Sequence, residues 1–298
     1  MQTKGIYSDH AALFQLIVLL IFILAGAVFS SLIGMGVFFL LHGSSLNMMD
    51  YPDAMRWMQF ISAVGTFLLP ALAIGWTCSK HPSQYLYTTK YPSMKALLLT
   101  LASMLLLSPA INLTGLLNKQ LVLPSFLAPI ETWMRAQEAL AEQLTGKLLL
   151  GGNALTLVAN LIVIALVAGV TEEFLFRGAL GRIIGRWTTS HHWVIWVTAF
   201  LFSTFHLQFF GFLPRLLLGA YFGYLLYWSK SIWLPVMAHF FNNAFAVCGM
   251  SDRQLKDNEF FTGDITYEHL LPYTLFALLA LALFFACQKG VRQAASHR

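Results

Sequence analysis

Residues 11–41 pass through leucine, isoleucine, valine and phenylalanine without one charged side chain. In hydrocarbon no water satisfies backbone N–H and C=O groups, so a run of this kind is held to helix. It exceeds the roughly 20 residues that cross a bilayer, is too long for a signal-peptide core and lacks a small-residue cleavage site. It therefore reads as a membrane helix that stays. Further apolar segments follow at 59–78, 95–117, 153–186, 193–206, 212–229, 232–249 and 269–287. The expected fold is all-α: a polytopic membrane protein of about eight transmembrane helices with its site inside the bundle. Pro70 and Pro109 lie inside two of these segments, a position that membrane helices tolerate.

Composition excludes the soluble classes. Hydrophobic residues make up 58% and charged residues 10% of the 298-residue chain, whereas soluble domains carry about 25% charged residues. The net charge of +5 does not form a nucleic-acid patch, because the basic residues stand singly at segment ends. Lys4, Lys80, Lys90, Lys95, Arg182, Arg186, Lys230, Lys289, Arg292 and Arg298 fall on one side of the threading. Asp50, Asp53, Asp252, Asp257, Glu259, Asp264 and Glu268 fall on the other. The positive-inside rule then puts both termini in the cytoplasm of a multi-pass cell-membrane protein. Residues 124–147 interleave Trp133, Arg135, Glu138 and Glu142 with apolar positions, as an interfacial or connecting amphipathic helix does. Cys78, Cys248 and Cys287 have no paired spacing and read as packing residues. No linker divides the chain, so 1–298 is expected to be one membrane domain.

Within 153–249 the apolar pattern is broken by ionisable side chains, which in a bilayer cost several kcal/mol unless paired or set beside a wet cavity. Glu173 and Arg177 stand four apart and can pair, while Glu172 is rotated by about 100° and has Phe176 at its own plus-four position. His206 ends one apolar segment, four residues after Phe202; His239 and Asn243 share a face of another, with Asn242 one residue off that face. At 1.5 Å per residue Glu172 lies about 20 Å from Arg186, His206 about 20 Å from Trp193 and His239 about 13 Å from Lys230. The three motifs are therefore able to meet within the hydrocarbon layer. Each also has a plain structural reading: an ion pair for Glu173 and Arg177, and interhelical polar contacts for the histidines and Asn243.

Glu172-Glu173-x-x-x-Arg177, Phe202-x-x-x-His206 and His239-x-x-x-Asn243, in that order on successive helices, resemble the three motifs of the CAAX-protease and bacteriocin-processing (CPBP) intramembrane proteases. The resemblance covers residues 153–249 and implies an endopeptidase acting on a membrane-associated protein or peptide in the bilayer. By that resemblance Glu172 is the general base, His206 helps hold the water, His239 and Asn243 stabilise the oxyanion, and Glu173 with Arg177 supports the site. Glutamate-activated water needs no cofactor. Two histidines and a glutamate also match the ligand types of a catalytic zinc site, yet HExxH spacing is absent, so metal is left open. Two other function classes stay in view: a non-catalytic membrane scaffold or bacteriocin-immunity factor, and a proton-coupled transporter. The latter is weakened by the lack of paired inverted halves.

Overall fold

The structure is a computed structural model and describes residues 3–43, 47–149, 153–252, 255 and 258–296. Asp257 and Arg298, used in the charge argument, lie outside the described residues. No strand occurs among those described. The principal helices are α1 (Ala12–His42), α2 (Pro52–Thr77), α3 (Met94–Lys119), α4 (Ala128–Leu149), α5 (Ala154–Ile184), α6 (His191–Phe205), α7 (Phe212–Ser229), α8 (Trp233–Ser251) and α9 (Tyr267–Ser296). The chain is an all-α polytopic membrane protein.

All eight expected apolar segments are helical. Among the described residues, six helices are long and apolar enough to cross a membrane: α1, α2, α3, α5, α7 with its preceding turn, and α9. The other two segments fall short for different reasons. Helix α6 has 15 residues, about 22 Å of rise against a hydrocarbon core of about 30 Å. Helix α8 has 19 residues, but Pro235, His239, Asn242 and Asn243 dilute its apolar character. These two helices carry the second and third motifs.

The helices expose many large apolar side chains while a few ionisable groups are buried between them, as expected where the surroundings are lipid. Leu24, Phe29, Leu32 and Leu40 of α1 are exposed, whereas Glu173, Arg177 and His239 are buried. Helix α9 packs along α3, α6 along α7, and α8 against α5. Two segments of α5, Leu161–Val167 and Phe174–Leu180, are π-helical and flank the α-helical turns Ala168–Glu173. In α2 a π-helical segment at Val64–Leu68 precedes Pro70; the wider turns accommodate a residue that has no N–H to donate.

The 124–147 segment forms α4, which docks on the turn before α7. Trp133 meets Phe209 with ring centroids 5.5 Å apart, the Arg135 guanidinium lies 4.4 Å from the Phe210 ring, and Glu138 accepts from the Phe210 N–H at 3.4 Å. Arg56, which precedes the apolar segment expected at 59–78, is buried in the first turns of α2. Its Nε donates to Asn160 Oδ1 at 2.7 Å and its Nη2 to the Leu148 carbonyl at 3.0 Å, while Nη1 pairs with Asp53 at 2.6 Å. Asn160 donates to the same Leu148 carbonyl at 2.8 Å. One guanidinium therefore ties α2, α4 and α5, offsetting its burial with three acceptors.

Candidate active site

Close approach of α8 to α5 depends on Gly169. A Cβ there would sit 3.1 Å from the Phe240 backbone nitrogen, so a larger residue would push apart the helices that carry the first and third motifs. Gly219 on α7 plays the equivalent part: its Cβ would lie 3.1 Å from both Arg177 Nη2 and the Phe202 ring. Its carbonyl accepts from Arg177 Nη2 at 2.8 Å.

Glu173 and Arg177 form the ion pair that their spacing allows, Nη1 to Oε1 at 2.9 Å, with both side chains almost wholly buried. The guanidinium is flanked by Phe202, 4.6 Å from the ring centroid, and Phe222, 5.7 Å away. Charge, backbone carbonyl and aromatic faces together compensate a buried cation. The same Glu173 oxygen accepts from His239 Nδ1 at 2.9 Å. Phe222 stacks on the His239 ring at 5.1 Å, and Phe202 meets it edge-on at 5.8 Å. The ring is fixed in plane and in tilt.

Glu172 points elsewhere. Its Oε2 lies 3.9 Å from His206 Nε2 and 3.7 Å from His239 Nε2, and it makes no hydrogen bond within the described residues. The Glu172 side chain is 14% exposed and that of His206 29%, so this corner is the opened edge of the cluster, whereas Glu173 is at 0%. His206 Nδ1 donates to the Phe202 carbonyl at 2.9 Å, since a carbonyl only accepts. Both histidines thus commit Nδ1 as donor and turn Nε2 toward Glu172. Each Nε2 is an acceptor when its ring is neutral and a donor when it is an imidazolium.

The structure brings Glu172, Glu173, Arg177, His206 and His239 together. Asn243 has its hydrogen bonds outside this cluster. Its Nδ2 donates to the Ile164 carbonyl at 3.1 Å and its Oδ1 accepts from Asn242 Nδ2 at 3.2 Å. Ile164 belongs to the first π-helical segment of α5, where the backbone carbonyl serves as a side-chain acceptor. The two asparagines are therefore coupled. Among the described residues, no group of three or more His, Cys, Asp and Glu side chains is arranged to hold a metal ion. The ligand types are present, and their separations at Glu172 are wider than a shared zinc would draw them.

Three contributors were not evident from sequence. Phe222 and Gly219 carry no motif and act by packing and through a carbonyl. Arg215 on α7 donates to the Gln208 carbonyl at 2.7 Å and to Gln208 Oε1 at 2.6 Å, and lies within electrostatic reach of Glu172 and Glu138. A lone arginine inside an apolar span was the signal available for it.

Residues 154–245 match the family described as type II CAAX prenyl endopeptidase Rce1-like, which belongs to the CPBP family. That family is one of CAAX-type protease hydrolases. No curated protein and no solved structure matches the chain.

Proposed function

We propose that this chain, through the CPBP-type segment at residues 154–245, is an intramembrane endopeptidase that hydrolyses a membrane-associated protein or peptide with water activated by Glu172. The observation that carries the reading is the Glu172 carboxylate, whose Oε2 has no hydrogen-bond partner among the described residues, faced by the Nε2 atoms of two histidines whose Nδ1 atoms are already engaged. Separations of 3.7 and 3.9 Å exceed direct hydrogen bonds. They suit a small oxygen species held in common by the three groups.

In this mechanism Glu172 takes a proton from water as the oxygen attacks the scissile carbonyl, and His206 orients that water. The tetrahedral oxyanion is stabilised by His239, acting as a donor from Nε2 while Glu173 holds the imidazolium from the other side. Asn243 supplies a further amide donor. Collapse of the intermediate breaks the C–N bond, and the proton held by Glu172 passes to the leaving amine. Glu173 and Arg177 touch no reacting atom and are positioning residues. The protein is placed in the cell membrane with both termini cytoplasmic, on the distribution of lysine and arginine.

The deciding experiment measures peptide cleavage by purified protein and by Glu172→Gln. The substitution keeps shape and removes the proton acceptor, so cleavage should fall by at least about a hundredfold, the lower range for losing a general base, with folded yield retained. Equal activity in the two proteins would sink the assignment.

A further inference from the structure

A second polar region lies apart from Glu172, at the end of the bundle where α5 and α7 finish and α6 begins. It is a cavity of about 470 Å³ with Arg177 in its wall and Arg182, Arg186, Lys230, Thr188 and Thr189 among its other lining residues. Among the described residues no carboxylate lines it. From Arg177 to the end of α5 at Ile184 the helix climbs about 10 Å, so the cavity runs from the buried ion pair toward the basic end of the bundle.

The charge balance is one-sided. Arg177 is neutralised by Glu173. Among the described residues, Arg182, Arg186 and Lys230 have no carboxylate oxygen within 4.0 Å. The two arginines donate to neutral acceptors: Arg182 to the Tyr85 and Gln84 carbonyls, each at 2.8 Å, and Arg186 to the His10 carbonyl at 2.8 Å. Lys230 lies 4.1 Å over the Tyr227 ring. Cations at the ends of α5 and α7 also suit the helix dipoles, but that effect does not require three of them to share one concavity.

Helix α6 adds to the field. It starts at His191, a cavity-lining residue, and Ser190 at its N-cap makes no side-chain capping bond. Helix N-terminal N–H groups without a cap favour an anion. Burial, followed by repulsion from Arg182 and Lys90, pushes the Lys230 ammonium below the usual lysine range. A bound anion would relieve that repulsion.

We propose that this cavity is a phosphate site, taking either a free phosphate or the phosphate of an anionic lipid headgroup. Because Arg177 is shared between its wall and the Glu173–His239 cluster, occupancy bears on the same ion pair that positions His239. The site itself rests on the cavity and its cations and does not depend on the protein being a protease.

The test is thermal unfolding of the purified full chain. In one arm, sodium phosphate replaces sodium chloride at matched ionic strength in dodecyl maltoside. In the other, phosphatidylcholine nanodiscs are prepared with and without phosphatidylglycerol. A rise in Tm with phosphate in detergent supports the site and marks free phosphate as a ligand. A rise only with phosphatidylglycerol supports it and marks the lipid headgroup. Lys230→Met, which keeps the apolar stem, and Arg186→Gln should each weaken the effective probe by about tenfold or more, the loss of roughly one charge-assisted hydrogen bond. Lys147→Gln, an exposed cation on α4 outside this cavity, should leave it unchanged. No stabilisation by either probe, or stabilisation that survives both cavity substitutions, overturns the proposal. Failure of peptide cleavage leaves these readouts unaffected, so the two proposals are separable.

Discussion

His239 and Arg177, from different helices, donate to one and the same oxygen of Glu173, each at 2.9 Å. The first motif's ion pair and the third motif's histidine are thus one unit, and removal of the shared acceptor leaves two buried donors without a partner.

Glu173→Gln should accordingly destabilise the fold by about 3–5 kcal/mol, the range for breaking a buried pair from one side. Arg177→Lys should also be costly, because one ammonium cannot reproduce the guanidinium fork that reaches both Glu173 and the Gly219 carbonyl. Folded yield and Tm in detergent check both. A Glu173→Gln protein as stable as the native one would contradict the ion pair's structural role.

The pairing of Glu173 with Arg177 was legible because four residues of helix set it, and so was the separate direction of Glu172. The eight helical segments were legible from apolar runs. Other features were not. The π-helical segments at Leu161–Val167 and Phe174–Leu180 alter helix phase without any periodic signature, and they shape the surroundings of Asn243 and Arg177. Arg56 stands outside the apolar runs, and nothing local marks it as buried, because its acceptors, Asn160 and the Leu148 carbonyl, lie about a hundred residues away along the chain. Phe222 and Gly219 matter through shape and a carbonyl, which no residue-type pattern announces.

Arg56→Met should lower stability by about 1–3 kcal/mol, the cost of leaving buried acceptors unsatisfied. Asn160 keeps its own bond to the Leu148 carbonyl, which limits the loss. Asp53→Ala should be far milder, since the Asp53 side chain is 94% exposed and such pairs are worth little. Thermal unfolding of the two variants, side by side, reads the contrast.

For topology, reporter fusions near Lys4 and after Ser296 should both report the cytoplasm, and a fusion within the 259–266 loop should report the opposite side. Lys119 and Asp264 pair at 2.7 Å, which places the end of α3 and that loop on one face of the bundle. A fusion at residue 120 should therefore agree with the loop. A non-cytoplasmic signal from either terminus would reject the orientation.

The two adjacent asparagines provide the most discriminating test of the proposed oxyanion contacts. Asn243 shares the helical face of His239, yet its amide is bonded to the Ile164 carbonyl, and Asn242 donates to its oxygen. If Asn243 supplies a donor to the oxyanion, that contact is made mainly in the transition state. Its loss should lower kcat by roughly a hundredfold or more with little change in KM. Asn242 holds the Asn243 oxygen and no reacting atom, so Asn242→Ala should cost far less, its effect transmitted through looser placement of its neighbour. Asn243→Asp sharpens the comparison: it keeps an acceptor for Asn242 but replaces the amide donor with a carboxylate that faces the Ile164 carbonyl, so it should be as inactive as Asn243→Ala and less stable than it. Turnover of the three variants, normalised to folded protein by Tm, decides the matter. If Asn242→Ala is the most damaging, the register of α8 at the site is wrong; if Asn243→Asp retains full turnover, the oxyanion role passes to His239 alone.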